Sequence, residues 1–348
     1  MSPRHRLNLL ADVREGFELS LLSTINHQLS AIRPFRLSPL LPLFVPFCAF
    51  LWLPPALATE NVPHRPFALW ADIPEPGHFT FGAVYEESEA YHILIGGKSY
   101  NVTSHADGER FGIDINQGYL SLQYGLTERW AADLSLGGTT VGWRYFDNGS
   151  VQSTTGLLDT SLGVRYQLFK EALADQLSTL NSQLTWAPTL TLRVGAVFPG
   201  TYDQTFAFAP GVRSVAIEPE VLLRKHCRWP GLGVYGDGLF RWNRTTGNDQ
   251  YIAAIGLFQQ IKGWELDFGF RHLQTISGDD IVFDPNNPGG LLYPRAVREN
   301  NDSIEAGFSY TTKHHFRYGF QSRTVFDGNN TDRKFWVGGS IDFTWGTR

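Results

Sequence analysis

Charged residues, cysteine and methionine are all scarce in this chain of 348 residues. Asp, Glu, Lys and Arg together make up 18% of it, whereas an ordinary soluble domain carries about 25%. Aromatic residues nevertheless reach 14%, and this excludes a disordered chain, since such chains are highly charged and poor in aromatics. Two cysteines are too few for a disulfide-stabilised scaffold. The formal net charge of -5 gives no reason to expect a nucleic-acid partner.

The amino-terminal region contains one long hydrophobic run, residues 37–53. It follows two arginines, and Pro54-Pro55-Ala56-Leu57-Ala58 comes directly after it. A basic start, an apolar run and an Ala-x-Ala ending are typical of a secretory signal peptide, so we expect residues 1–58 to be removed on export. The competing interpretation is a transmembrane helix, which the three prolines inside a short run disfavour. Residues 1–32 are unusually long and acidic for a signal, and a translation start assigned too far upstream would explain them.

Residues 59–77 contain four prolines, and this pattern predicts an extended leader rather than a helix. Phe67 and Trp70 are the large aromatic residues of this leader. We expect a periplasmic tail here. The alternative is a plug that enters the following domain through Phe67 and Trp70.

From residue 78 onward, apolar side chains occupy every second position of one segment after another, and this spacing predicts β-strands. In the second segment the apolar positions change phase between Ile115 and Leu120, so we expect a bulge near Gly118 with apolar side chains outward on both sides of it. Twelve segments are counted, at residues 79–85, 111–126, 130–136, 162–168, 190–198, 215–223, 232–242, 251–257, 264–270, 304–310, 316–320 and 335–345.

Short and long connections alternate between these segments. The long ones are polar and rich in Asn, Gly and Asp, and one link, residues 169–187, breaks the alternation with a helical pattern. Short turns on one rim and long loops on the other are typical of an outer-membrane barrel, and an even strand count places both ends on the periplasmic side. The short links are 127–129, 225–231, 260–263 and 311–315; the long ones are 86–109, 142–155, 199–212 and 277–302, and the shorter links 244–249 and 327–333 fall at the same alternate positions as the long ones.

Most strand charges fall on the phase opposite the apolar one. A soluble sandwich would turn its apolar side chains inward, whereas a membrane barrel turns them to the lipid and closes so that every backbone group is paired. Aromatic residues near the segment ends favour the membrane arrangement. We therefore predict an all-β protein: a single antiparallel transmembrane β-barrel of twelve strands at residues 78–348, in the outer membrane of a Gram-negative-type bacterium.

The charged residues of the inward phase are the candidate functional residues. Mixed signs at close range most often mean ion pairing within the wall, and the functional interpretation is a constriction that selects solutes. The candidates for lining the lumen are Arg165, Arg193, Glu218, Glu220, Arg224, Asp237, Arg241, Glu265, Asp267, Arg271, Glu305, Arg317 and Arg323.

Patterns that would indicate catalysis or metal binding are weak. His272 lies in the outward phase with Ser277 nearby, but no motif of a lipid-cleaving barrel surrounds them. His314 and His315 have no acid or cysteine at ligand spacing, and residues 327–332 resemble a calcium loop without its closing glutamate. We expect no enzyme activity, no catalytic residue, no metal and no cofactor.

The carboxyl-terminal segment alternates almost to the end of the chain. Its last aromatic residues, Phe343 and Trp345, are the kind of terminal signal that the barrel-assembly machinery reads. The other expected partners are outer-membrane lipids, lipopolysaccharide and a small-molecule solute.

Three segments carry a resemblance to a known family. The sequence Tyr124-Gly-Leu-Thr-Glu-Arg-Trp130 is similar to a hairpin of the phenol meta-pathway degradation barrels, and residues 158–166 and 190–201 resemble two of their strands. The resemblance covers most of residues 110–345. It implies an outer-membrane channel that passes or binds small molecules, hydrophobic or aromatic ones among them, and it transfers no binding residue. The alternatives are a lipid-acting barrel enzyme and a structural or adhesive barrel with surface loops.

Overall fold

A computed structural model describes residues 70–101, 111–145, 151–171, 187–203, 211, 213–244, 248–283, 291–292 and 297–346. The predicted signal peptide, Phe67 and the helical pattern of the 169–187 link lie outside the described residues, apart from the ends of that link. The strands are β1 His78–Ile95, β2 Lys98–Asn101, β3 Phe111–Gly125, β4 Trp130–Tyr145, β5 Val151–Leu157, β6 Thr160–Phe169, β7 Thr189–Phe198, β8 Ala216–His226, β9 Leu232–Asn243, β10 Gln250–Ile261, β11 Trp264–Thr275, β12 Val282–Phe283, β13 Leu291–Leu292, β14 Asn300–Thr311, β15 Phe316–Asn329 and β16 Thr331–Gly346.

The sheet closes on itself. Of its 14 strands, β2 and β5 are extensions that pair only with β1 and β4, and the other twelve follow the order of the chain. The ring is completed by antiparallel pairing of β1 with β16, from His78 opposite Gly346 to Leu94 opposite Thr331. The predicted twelve-stranded antiparallel barrel is thus confirmed, and each predicted segment overlaps one barrel strand. No helix in the described ranges is long and apolar enough to cross a membrane.

Exposure alternates along each strand in the sense that a membrane barrel requires. In β7, Val194 is 60% exposed on the outer surface, while its neighbour Arg193 is 1% exposed and faces the interior. The apolar side chains therefore point outward and the charges inward, the reverse of a soluble sandwich. At the rim with the short turns, Trp130 packs on Tyr166 and Trp264 on Tyr310, with ring centroids 4.7 and 4.8 Å apart.

The expected bulge near Gly118 is wrong. β3 pairs with β1 and with β4 without any register shift, so Ile113 and Ile115 share the inward phase with Tyr119. Both isoleucines are buried, at 0% and 1% exposure. The phase change in the sequence has another cause: near the long-loop rim the interior contains apolar as well as polar side chains, so an inward isoleucine is tolerated there. Leu239, Ile252 and Leu273 form a second such apolar cluster.

Three of the expected connections are largely strand, and one of them, 142–155, is mostly covered by the end of β4 and by β5. β1 continues to Ile95 and turns back into β2 at Gly96 and Gly97, whose positive φ angles of 58° and 72° suit glycine. β15 and β16 are joined at Asn330, so the calcium-like segment 327–332 is the tip of a hairpin. Asp332 in that tip is buried and pairs with Lys334 across 2.7 Å. β16 begins at Thr331, before the predicted segment, because Lys334 and Trp336 continue its alternation of inward side chains.

Substitution of outward residues tests the lipid-facing surface. Val194→Arg places a charge in the middle of β7, and we expect it to lower the free energy of unfolding in lipid vesicles by about 2–4 kcal/mol. Leu168→Arg, close to the short-turn rim, should cost only about 0–1 kcal/mol, since the side chain reaches the interface. Urea unfolding followed by tryptophan fluorescence measures both. Equal costs at the two depths would contradict a membrane-facing outer surface.

Candidate functional site

One arginine organises the charged interior on the side of β4 to β9. Arg193 is fully buried, and its Nη2 donates to Asp133 Oδ2 across 2.8 Å and to Ser161 Oγ across 2.8 Å. Its Nη1 donates to Glu218 and Glu220 at 3.4 and 3.2 Å. Glu218 and Glu220 stand on β8, next to β7, two residues apart on the inner face, and Asp133 stands on β4, on the far side of β6.

Glycines leave the space that this arginine occupies. A Cβ on Gly163 would lie 2.6 Å from Arg193 Nε, and a Cβ on Gly195 would lie 2.6 Å from Arg193 Nη1. Real side chains do not approach so closely, so both positions need glycine or a displaced arginine. The glycine-rich inner face is thus the counterpart of its large buried charges.

Arg165 and Arg241 add to the charges around Arg193. We call the whole set the arginine network, and it comprises Arg165, Arg193, Arg241, Asp133, Glu218 and Glu220. Arg241 Nη2 lies 2.7 Å from Glu218 Oε1, and Arg165 Nε lies 3.5 Å from Asp133 Oδ1. Three cations face three carboxylates, so the formal charges of the network cancel. Mutual neutralisation is what allows so many charges to stay buried.

A second group of charges lies on the opposite wall, from β11 to β16. Arg271 Nε donates to Glu305 Oε1 across 2.5 Å. Arg317 lies 3.3 Å from Glu265 and 3.8 Å from Asp342. Asp237 and Arg323 are also buried and Asp267 is half-buried. All thirteen predicted lumen residues are therefore on the inner face, buried or half-buried.

Sequence reasoning missed some interior charges. Asp332 and Glu86 are buried, although the sequence predicts connections at their positions, and the buried Lys334 lies between the predicted 327–333 link and the last predicted segment. The alternation of Lys334, Trp336 and Gly338 was the signal that could have extended the last predicted strand back to Asp332.

The end of the leader lies against the inner face of β6, β7 and β8. Trp70 is 7% exposed and Ala71 0%. The guanidinium of Arg165 stacks 4.3 Å from the centre of the Trp70 ring, and its Nη1 donates to the Trp70 carbonyl oxygen across 3.0 Å. Thr191 Oγ1 donates to the Ala71 carbonyl oxygen, and Asp72 pairs with Arg224 Nη1 across 2.6 Å. The expected lumen residues Arg165 and Arg224 thus hold the leader segment.

Gly125, at the end of β3, leaves room for the leader to pass from the barrel interior into β1. Gly77 N donates to the Gly125 carbonyl oxygen across 2.8 Å. A Cβ on Gly125 would lie 2.1 Å from the Glu75 carbonyl oxygen, so the leader could not cross the end of β3 at this point if Gly125 carried a side chain.

The leader leaves part of the interior open. A cavity of about 480 Å³ lies between residues 70–75 and the inner face of β1, β3, β4, β15 and β16. Its lining includes Trp70, Tyr119, Asp342 and several serines and threonines.

At the short-turn rim, one carboxylate joins the start of the 169–187 link to β8. Glu171 accepts hydrogen bonds from Lys225 Nζ across 2.6 Å and from the His226 backbone N–H across 3.0 Å. Burial raises the pKa of Glu171, but the hydrogen bonds from Lys225 and His226 lower it by more, so it lies below its usual range.

The residues considered for catalysis are separated. His272 Nδ1 lies 2.7 Å from Asp302 Oδ1 and its Nε2 lies 3.1 Å from the Tyr251 hydroxyl. Ser277 instead donates to Asn248, so the structure does not bring Ser277 and His272 together. His314 and His315 are exposed in the turn before β15. In the described ranges, no three His, Cys, Asp or Glu side chains are grouped as metal ligands.

Comparison with solved structures identifies the class of fold. An outer membrane channel from Pseudomonas putida F1 matches over 82% of this chain and 100% of its own length, with a TM-score of 0.56 and 15% sequence identity. The chain has the fold of an outer-membrane β-barrel. The CymD monoaromatic hydrocarbon channel matches over 85% of this chain and 95% of its own, with a TM-score of 0.41 and 10% identity. No family model and no curated protein matches the sequence.

The arginine network predicts a large and specific loss of stability. Arg193→Met removes the shared partner of three buried carboxylates, and breaking a buried ion pair from one side costs about 3–5 kcal/mol. Arg228→Met changes an exposed arginine in the turn after β8 and should stay within about 0.5 kcal/mol of the unmodified chain. Urea unfolding in vesicles gives both values. A cost for Arg193→Met no larger than that for Arg228→Met would show that the network does not hold the interior together.

Proposed function

We propose that this chain is an outer-membrane channel that passes or binds small molecules. The observation that carries the proposal is the interior: a closed barrel with a charge-paired inner face, a chain segment inside it and a cavity of about 480 Å³ beside that segment. The Pseudomonas putida barrel that shares the fold is described as an outer membrane channel. This supports the same class of activity for this chain.

The thirteen inward charged residues form, in this proposal, a narrow polar constriction. Their ion pairs tie neighbouring strands together and draw long side chains into the lumen. Twelve strands also enclose less space than the sixteen of a general diffusion porin. The channel therefore selects by size and polarity rather than admitting every small solute.

Residues 59–77 act as the plug of this channel. Trp70 lies on Arg165, and Asp72 is paired with Arg224, so both contacts supporting the plug use lumen residues. The prolines of the sequence predict an extended leader, which fits a periplasmic tail as well as a plug, and from the sequence alone we expect the tail. The contacts of residues 70–72 support the plug.

The resemblance to phenol meta-pathway degradation barrels supports small hydrophobic or aromatic molecules as a cargo class. For biogenesis, we propose export by the signal peptide of residues 1–58 and recognition of Phe343 and Trp345 by the barrel-assembly machinery. Phe343 stacks on Phe316 with ring centroids 4.5 Å apart, while Trp345 is 58% exposed. Membrane lipids and lipopolysaccharide then surround the outer face.

Removal of the Trp70 ring tests the channel and its plug together. Trp70→Ala deletes the ring that stacks on Arg165, and we expect more frequent and larger openings in planar lipid bilayers than the unmodified chain shows. Trp229→Ala is the matched control, because Trp229 is 70% exposed on the turn between β8 and β9 and should leave the conductance unchanged.

Two results would contradict the proposal. Absence of conductance and of solute uptake in the unmodified chain and in Trp70→Ala would exclude a channel and leave a structural or adhesive barrel. Conductance that is equal in the unmodified chain and in both variants would retain the channel and exclude the plug.

A further inference from the structure

The cavity beside the leader runs along one side of the barrel interior. It extends from Val84 and Tyr119, in the middle of β1 and β3, to Thr311 and His315 at the short-turn rim. The leader forms one of its walls through residues 70–75. The arginine network and the leader fill the β6 to β8 side, so the open space lies opposite them.

Six of the residues that line the cavity are serines or threonines. A hydroxyl both donates and accepts hydrogen bonds, so such a wall suits a ligand that also does both. The apolar surface, which is the larger part of the lining, comes from the rings of Trp70 and Tyr119 and from Ile73, Pro74, Val84 and Leu134. The volume falls in the range of small-molecule sites, about 300–1,000 Å³. The lining hydroxyls belong to Thr80, Ser121, Ser135, Thr311, Ser340 and Thr344.

Glycines keep this side of the interior wide. A Cβ on Gly82 would lie 2.6 Å from Ser121 Oγ, and a Cβ on Gly319 would lie 2.4 Å from Ser340 Oγ. Larger residues here would displace the hydroxyls that line the cavity.

Three of the four carboxylates that line the cavity have an arginine partner, and the fourth, Glu75, has an exposed side chain. Asp342 lies 3.8 Å from Arg317, and Asp72 lies 2.6 Å from Arg224. Asp133 is held by Arg193 at 2.8 Å. An ionic solute would have to compete with these pairs, whereas a neutral solute can hydrogen-bond to the hydroxyls and leave the pairs intact.

We propose that this cavity is a solute site of the channel and that it takes a small neutral polyhydroxylated molecule of monosaccharide size, a cargo class additional to the hydrophobic or aromatic one that the family resemblance implies. The solute passes beside the leader, and the Trp70 face of the leader completes the site. This inference rests on the proposed channel function and names the substrate class and path of that same lumen.

Filling the cavity tests the site. Ser121→Phe places a ring in the cavity from β3. Ala83→Phe, on the neighbouring strand β1 near the same depth, places the same ring on the outer surface, since Ala83 pairs with the outward Leu120. We expect uptake of labelled glucose into vesicles containing the full chain to fall several-fold with Ser121→Phe and to stay unchanged with Ala83→Phe. Ser340→Phe fills the cavity from β16 if Ser121→Phe does not fold, as judged by heat-modifiable migration.

Comparison of charged and neutral sugars tests the substrate class. Labelled glucuronate and glucosamine match glucose closely in size and carry opposite charges, and we expect both to enter several-fold more slowly than glucose. Equal rates for all three, or equal glucose uptake by the filled and control variants, would overturn the inference while a working channel remained. Loss of all uptake and conductance in the unmodified chain would instead overturn the channel function on which the inference rests.

Discussion

Arg165 and Arg193 are fully buried inside the barrel, and a buried guanidinium is stable only when its charge and its N–H groups are satisfied. Asp133 serves both arginines, at 3.5 and 2.8 Å. Arg193 completes its set with glutamates of β8, while Arg165 turns to the carbonyl oxygens of the leader. The leader thus supplies hydrogen-bond acceptors that the buried guanidinium of Arg165 needs.

The contents of the rest of the interior depend on where these arginines and the leader lie. The leader and the arginine network occupy the side of β6 to β8, and apolar clusters such as Leu239, Ile252 and Leu273 lie at the long-loop end. What stays open is the hydroxyl-lined space against β1, β3 and β16. Glycines recur at the close approaches, because a buried arginine or a crossing backbone leaves no room for a Cβ.

Alternation along the chain was enough to predict the twelve strands, the closed barrel and the inward placement of residues such as Arg193 and Glu305. It failed where its premise failed: Ile113 and Ile115 are apolar and inward, since the lumen is not polar along its whole length. It also failed at Asp332, which belongs to β16 but falls in the predicted 327–333 link. The position of Trp70 depends on contacts with residues more than ninety positions away, such as Arg165, and no local pattern encodes those contacts.

The central claim is that the leader lies inside the barrel and is held there by the arginines. Single cysteines in a Cys48→Ser, Cys227→Ser background test it most directly, by reaction of the folded chain in vesicles with a membrane-impermeant maleimide. Ala71 is 0% exposed, whereas the Glu75 side chain is 78% exposed. We expect Glu75→Cys to react rapidly and Ala71→Cys to react only after unfolding. Equal and rapid reaction of both would place the leader outside the barrel and contradict the account.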